Sequence, residues 1–205
     1  MTETANQQAG RLLILASASP RRRELMQKLL RPFISEVSRA KEYVPAEISA
    51  GDTAEYLSGI KAEEIFRHHT EEELVVIGSD TIVLSDGVIY GKPKDEADAK
   101  RMLESLSGKT HEVRTGVTIL WRKKNGSAPE EGRLSFTSVT EVTFYKLSEA
   151  EIDAYVATGE PMDKAGAYGI QDEGALLVKS INGDYYTVVG FPIGEVNRRL
   201  KEHEL

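Results

Sequence analysis

Between residues 13 and 25 the chain reads LILASASPRRREL, which sets two serines and three arginines directly after an apolar run. A strand feeding a tight turn into a helix start aims backbone N–H groups at one point, and such a point suits an anion. Ser17 and Ser19 add hydroxyl donors, and Arg21 and Arg22 add planar forks that match phosphate oxygens. Ser-Pro opens many helices, and arginines beside it are commonly solvated. Basic side chains at a helix N-terminus nevertheless oppose the helix dipole, and an anionic ligand relieves that opposition. The chain contains no Walker-type glycine-lysine loop.

Asp80 interrupts VVIGSDTIVL, a run that otherwise reads as buried strand. A buried carboxylate needs a partner. It can pair with an arginine, cap a turn, bind magnesium or act as a general base, and Mg²⁺ takes one or two carboxylates together with water and phosphate oxygens. Lys61, in SGIKAEE, falls near the apolar face of a helix, where snorkelling is the ordinary explanation. Lys92, in YGKPKD, is held between a hairpin and Pro93. Together with Asp80 and the arginines, both lysines read as phosphate neutralisers. The stretch EPMDKAGAYGIQDEGALLV is either a glycine-rich connector or a nucleotide contact. In the second reading Lys164 supplies charge, Tyr168 a flat stacking surface and Gln171 a carboxamide suited to a base edge. His68 and His69 read as a solvated helix end, His111 as a strand start outside any hydrolase triad, and Trp121 as strand-end packing.

These residues need elements to hold them. Residues 12–16 read as a strand, followed by a helix with Ser19 as N-cap and Pro20 at its first position. Residues 32–37 form a second strand, 38–52 a loop and 53–68 a helix. Residues 73–84 are the strongest buried strand, turned by SDG into a hairpin. Asp95 caps a helix to Leu106, and Ser148 with Glu151 forms a capping box for a helix ending at Thr158-Gly159. Alternation predicts strands over 111–121 and 134–147, a polar hairpin loop over 122–133, a strand over 175–181 and a helix over 193–203. The pattern is α/β with mixed α+β character: an extended, elongated mixed sheet flanked by helices, with two lobes and a central cleft. The 205 residues form one domain, with residues 1–10 disordered.

Composition narrows the function classes. The chain is 40% hydrophobic and 29% charged, and its net charge of −7 argues against extended nucleic-acid binding while permitting a local anion site. No apolar stretch approaches the roughly 20 residues of a membrane span. The absence of cysteine excludes thiolate chemistry and disulfides, and a cytoplasmic location fits.

Six motifs in order, LILASASPRRREL, VIGSDTIV, YGKPKD, LSGKTHEVRTGV, EPMDKAGAYGIQ and NGDYYTVVGFP, resemble the Maf family of nucleoside triphosphate pyrophosphatases. The resemblance covers Leu12 to Ile193, and the DKAGAYGIQ form is similar to the branch acting on dTTP and UTP. It implies the elongated fold of the house-cleaning (Maf/ITPase-like) nucleotide pyrophosphatases, a divalent cation (Mg²⁺ or Mn²⁺), a pyrimidine nucleoside triphosphate substrate and a homodimer. Carried over, Asp80 is the acid/base and metal residue, and Lys61 and Lys92 bind phosphate. Ser17, Ser19, Arg21 and Arg22 form the serine-arginine loop, and Arg21, Thr81 and Gln171 set pyrimidine choice. The chain departs from the pattern once: the family's glutamate after the second strand falls on Ser38, leaving Glu36 or Glu42 to supply that carboxylate. The departure motivates a second reading, a non-catalytic nucleotide-binding regulator of cell division.

Overall fold

The computed structural model describes residues 10–125 and 128–205. Of the leader expected to be disordered, residues 1–9 lie outside the described residues, and Gly10 is exposed.

A seven-stranded mixed sheet forms the frame. Its strands are β1 (Leu12–Ala16), β2 (Ile34–Glu36), β3 (Leu74–Ser85), β4 (Val88–Tyr90), β5 (Thr110–Asn125), β6 (Ala128–Phe144) and β7 (Val178–Asn182). Their order is β2-β1-β3-β5-β6-β7, with β4 on β3 as well. β1 is parallel to β2 and β3, and the remaining pairs are antiparallel.

The helices are α1 (Pro20–Gln27), α2 (Thr53–His68), α3 (Glu96–Leu106), α4 (Glu149–Ala157), α5 (Tyr185–Val189) and α6 (Ile193–Glu202). The side-chain period of two divides β3 between layers. Val75 and Ile77 join a core with Leu25 and Met26 of α1 and Val196 and Leu200 of α6. Leu74 and Val76 face Ala62 and Ile65 of α2 on the opposite side. Farther along, Val83 and Val113 join another core with Leu103 of α3, Ile152 of α4 and Tyr168. The two lobes expected from the sequence are these two ends of one sheet.

The register leaves a gap that matters later. β1 pairs with β3 only as far as Gly78, and β4 takes up the same edge only at Val83. Residues 79–82 therefore have β5 on one side and no strand on the other.

Four local features depart from the sequence reading. The loop predicted over 122–133 is largely strand, with Arg122 paired to Glu131 at 2.7 Å, and its tip at 126–127 lies outside the described residues. A polar hairpin running past the core carries charge on both faces and so mimics a loop in sequence. The strand predicted over 175–181 begins only at Val178, because Glu173–Leu177 is a 3₁₀ turn. Gly174 permits that turn: a Cβ there would sit 2.4 Å from the Gly169 carbonyl. Helix α5 was not expected. Its aromatic and β-branched residues disfavour helix, but Asp184 caps it by accepting from Thr187 N, and Gly190 ends it at φ 109°. His69 is also more than a solvated helix end, since its ring bridges Glu36 at 2.9 Å and Glu71 at 3.1 Å.

Candidate active site

The sheet-edge gap opens into a cavity of about 690 Å³, and most of the residues singled out from the sequence line it, among them Ser17, Arg21, Lys61, Asp80, Lys164 and Gln171. Each arrives by a different route.

Ser19 caps α1, its hydroxyl accepting from Arg22 N at 3.4 Å, and Pro20 occupies the first turn. Ser17 Oγ accepts from Ser19 N at 3.1 Å, so the two serines brace the turn itself. Arg22 does not present an open fork. Its Nε donates to Gly190 O at 2.9 Å, and its two terminal nitrogens donate to Ser79 O at 2.8 Å and Thr81 Oγ1 at 3.0 Å. Burial lowers its pKa, and the charge of Asp80 works against that fall. Arg22 therefore ties α1, the open segment of β3 and the end of α5 together, with most of its donors spent. A lysine could not make these three bonds in fork geometry. Arg21, one residue away, reaches Asp163 Oδ2 at 3.2 Å.

Asp80 pairs in register with Gly116 of β5 and faces α2. Lys61 Nζ meets its Oδ1 at 2.5 Å. Lys61 is not snorkelling: its side chain is 14% exposed, equal to that of Asp80. Two glycines bring the lysine there. A Cβ on Gly78 would stand 2.2 Å from Ser58 O, and one on Gly116 would stand 2.3 Å from Ala54 C, so α2 lies directly on the sheet backbone. The same ammonium also meets Glu42 Oε1 at 3.0 Å.

Of the two carboxylates left open after the second strand, Glu42 is the one that reaches Lys61. It lines the cavity, as does Ser38. Glu36 is turned away onto His69. The Ser38 hydroxyl accepts from Ala40 N at 3.2 Å and bonds Glu64.

On the other wall, Lys164 is nearly buried and donates to Glu160 O at 2.7 Å and Asp163 Oδ1 at 3.0 Å. Lys92 and Gln171 are exposed at the mouth, and Lys92 makes no ion pair among the described residues. Thr81 Oγ1, besides accepting from Arg22, bonds Thr115 Oγ1 at 3.0 Å. Tyr168 borders the cavity with its hydroxyl 2.8 Å from His111 Nε2. Burial drives His111 down to about 4 and holds the Tyr168 phenol well above its ordinary value, so both are neutral at pH 7.

The site thus joins a carboxylate with one oxygen on a lysine, a second carboxylate on that lysine, and cations on three walls. That arrangement handles a polyanion and a proton. The family description Maf-like protein matches residues 12–203. The chain belongs to the Maf-like family. A protein of Bacillus cytotoxicus named dTTP/UTP pyrophosphatase is 49% identical over 191 residues, covering 93% of this chain and 95% of that one. One of the same name from Bacillus mycoides is 48% identical over 194 residues, covering 95% and 96%. The solved Staphylococcus aureus Ham1 protein shares the fold at a TM-score of 0.50 and 14% identity, covering 94% of this chain and all of that one.

Within this Maf-like chain, sequence reasoning missed Asp163 and did not choose Glu42. Asp163 stands beside Lys164 in the quoted stretch EPMDKAGAYGIQ, but an acid next to a base in a loop carries no signal of its own.

Among the described residues, no group of three or more His, Cys, Asp or Glu is placed to hold a metal ion. Asp80 and Glu42 still fit a hard divalent cation, because they converge from β3 and the 37–52 loop onto one positive charge inside the cavity. Mg²⁺ ordinarily completes such a pair with water and substrate phosphate oxygens. Among the described residues no helix is long and apolar enough to cross a membrane.

Proposed function

We propose that this chain hydrolyses dTTP and UTP at the α–β anhydride, releasing the nucleoside monophosphate and pyrophosphate. The observation that carries the reading is the Lys61–Asp80 pair at the open edge of β3, facing a cation-lined cavity. The names and near-complete coverage of the Bacillus relatives support the same substrates.

Asp80 keeps Oδ1 on Lys61, while Oδ2 has no partner among the described residues and is free to accept a proton from water. The water oxygen bonds to the α-phosphorus as the bond to the β-phosphate bridging oxygen breaks, and the leaving pyrophosphate keeps that electron pair. Lys61, Lys92 and Arg21 stabilise the charge growing on it. Arg22 and the two serines hold the loop that presents Arg21. Gln171 and Thr81, which line the cavity together with Tyr168, would read the pyrimidine edge. A bound Mg²⁺ or Mn²⁺, held by Asp80 and Glu42, would supply charge neutralisation on the phosphates.

The regulator reading rested on the missing glutamate at Ser38. Glu42 on Lys61 supplies a carboxylate from another position, which favours catalysis. The same reading assigns the chain to the cytoplasm, as a homodimer without extended nucleic-acid binding. Ion-exchange analysis of a nucleotide panel with Mg²⁺ tests the reaction: dTMP or UMP with pyrophosphate is expected. Orthophosphate from dTTP without pyrophosphate rejects the bond assignment, and tight binding without turnover restores the regulator.

A further inference from the structure

Asp163 divides its carboxylate between two cations from opposite lobes. Oδ2 accepts from Arg21 of α1 at 3.2 Å, and Oδ1 accepts from Lys164 Nζ at 3.0 Å. One guanidinium and one ammonium, each serving a separate oxygen of a single anion, form the arrangement by which proteins hold a phosphoryl group. Here the chain fills that arrangement itself.

The three partners are not equally free to move. The Lys164 side chain is 9% exposed and is also held by the Glu160 carbonyl. Arg21 is 28% exposed on a helix packed into the first core through Leu25 and Met26. Asp163 is 60% exposed, and among the described residues its side chain bonds only these two cations. A rotation of Asp163 into water therefore clears the seat and leaves both cations in place. Burial pushes the Asp163 carboxyl up, but Lys164 and Arg21 outweigh it and hold the group below its usual value, so it is anionic at neutral pH.

We propose that Asp163 is the internal counter-anion of a phosphate seat made by Arg21 and Lys164, holding both cations until a phosphate of substrate or product displaces it. The proposal rests on the pyrophosphatase reading for the identity of the displacing group. It gives the acidic residue two tasks. It keeps two like charges together in the empty cleft, and it competes with pyrophosphate for them, which speeds product departure.

The cavity provides its own control. Asp172 also lines it, with no ion pair to a described residue, so neutralising Asp172 alters the net charge equally without freeing Arg21 or Lys164. The probe is inorganic pyrophosphate, titrated calorimetrically at one fixed Mg²⁺ concentration. Asp163→Asn should bind it about two- to fivefold more tightly than Asp172→Asn does, the range expected for loss of a solvent-exposed competing ion pair. In an Arg21→Gln background the gain from Asp163→Asn should shrink. Equal affinities of the two single variants, weaker binding by Asp163→Asn, an undiminished gain in the Arg21→Gln background, or no pyrophosphate binding by any form would each overturn the proposal. A chain that shows these ratios yet fails to hydrolyse dTTP or UTP loses the pyrophosphatase reading and keeps this one.

Discussion

At the scale of single residues, the decisive contrast is between adjacent arginines. Arg21 reaches across the cleft, whereas Arg22 spends its fork on Gly190, Ser79 and Thr81. No pattern in PRRREL separates those tasks, because they depend on which way a helix start faces. Asp80 was more legible, since a carboxylate inside a buried run always demands a partner. Asp80→Asn is expected to cut kcat about a hundredfold or more, the usual worth of a placed general base. The variant should still fold, because Glu42 keeps Lys61 paired; steady-state rates and a thermal melt on the same preparation check both parts. His111 makes a separate prediction. Its folded pKa of about 4 lies below its ordinary 6.5, so the unfolded chain takes up more protons between those values. Its contribution is present above pH 6.5 and is lost as pH falls toward 4, on the order of 3 kcal/mol in all. Replacing both buried partners, His111→Phe with Tyr168→Phe, should flatten the urea-derived stability profile across that window. A profile as steep as that of the unmodified chain would refute the assignment.

At the scale of elements, the Lys61–Asp80 pair depends on how closely a helix can lie on a sheet. Gly78 and Gly116 give α2 direct access to the backbone of β3 and β5, and that approach delivers Lys61 to Asp80. Gly78→Ala places a methyl group against the Ser58 carbonyl, so α2 must lift. A cost of about 1–3 kcal/mol is expected from overpacking. Turnover should fall by far more than stability alone explains, on the order of a hundredfold for a displacement near 1 Å. Urea titration and initial rates separate the two effects, and unchanged rates in a destabilised variant would show that α2 does not set this geometry. The loop over 37–52 teaches the converse: its sequence carries no periodicity, yet it brings Glu42 to the cavity. Helix α5 escaped expectation because five aromatic and β-branched residues form a helix only when capped and packed.

At the scale of the whole molecule, three long strands run through both lobes. β3 contributes Val75 and Val83, β5 Ile119 and Val113, and β6 Phe136 and Phe144 to the two principal cores. Neither end can melt while the other keeps its strands extended, so the lobes should unfold together. A scanning calorimeter is expected to record one transition with calorimetric and van't Hoff enthalpies in agreement. Two resolved transitions would mean that the cleft separates independent units. Charge also balances at this scale. A chain of net charge −7 gathers Arg21, Arg22, Lys61, Lys92 and Lys164 around one cavity and offsets them with Glu42, Asp80, Asp163 and Asp172.

Local chemistry was written plainly in the chain. The Ser19 and Ser148 caps, the helix over 53–68, the buried strand around Asp80 and the candidacy of Ser17, Arg21, Lys92 and Gln171 follow from side-chain type and near-neighbour spacing, whereas Thr81 entered only through the family resemblance. What each cation does was decided only by tertiary structure. Arg22 became a tie, Lys61 a partner shared by two acids and Lys164 a buried anchor because elements far apart in sequence closed on them. The cause is reach: a cap or a strand face involves residues a few positions apart, whereas an ion pair depends on distances that the packing of helices against the sheet sets.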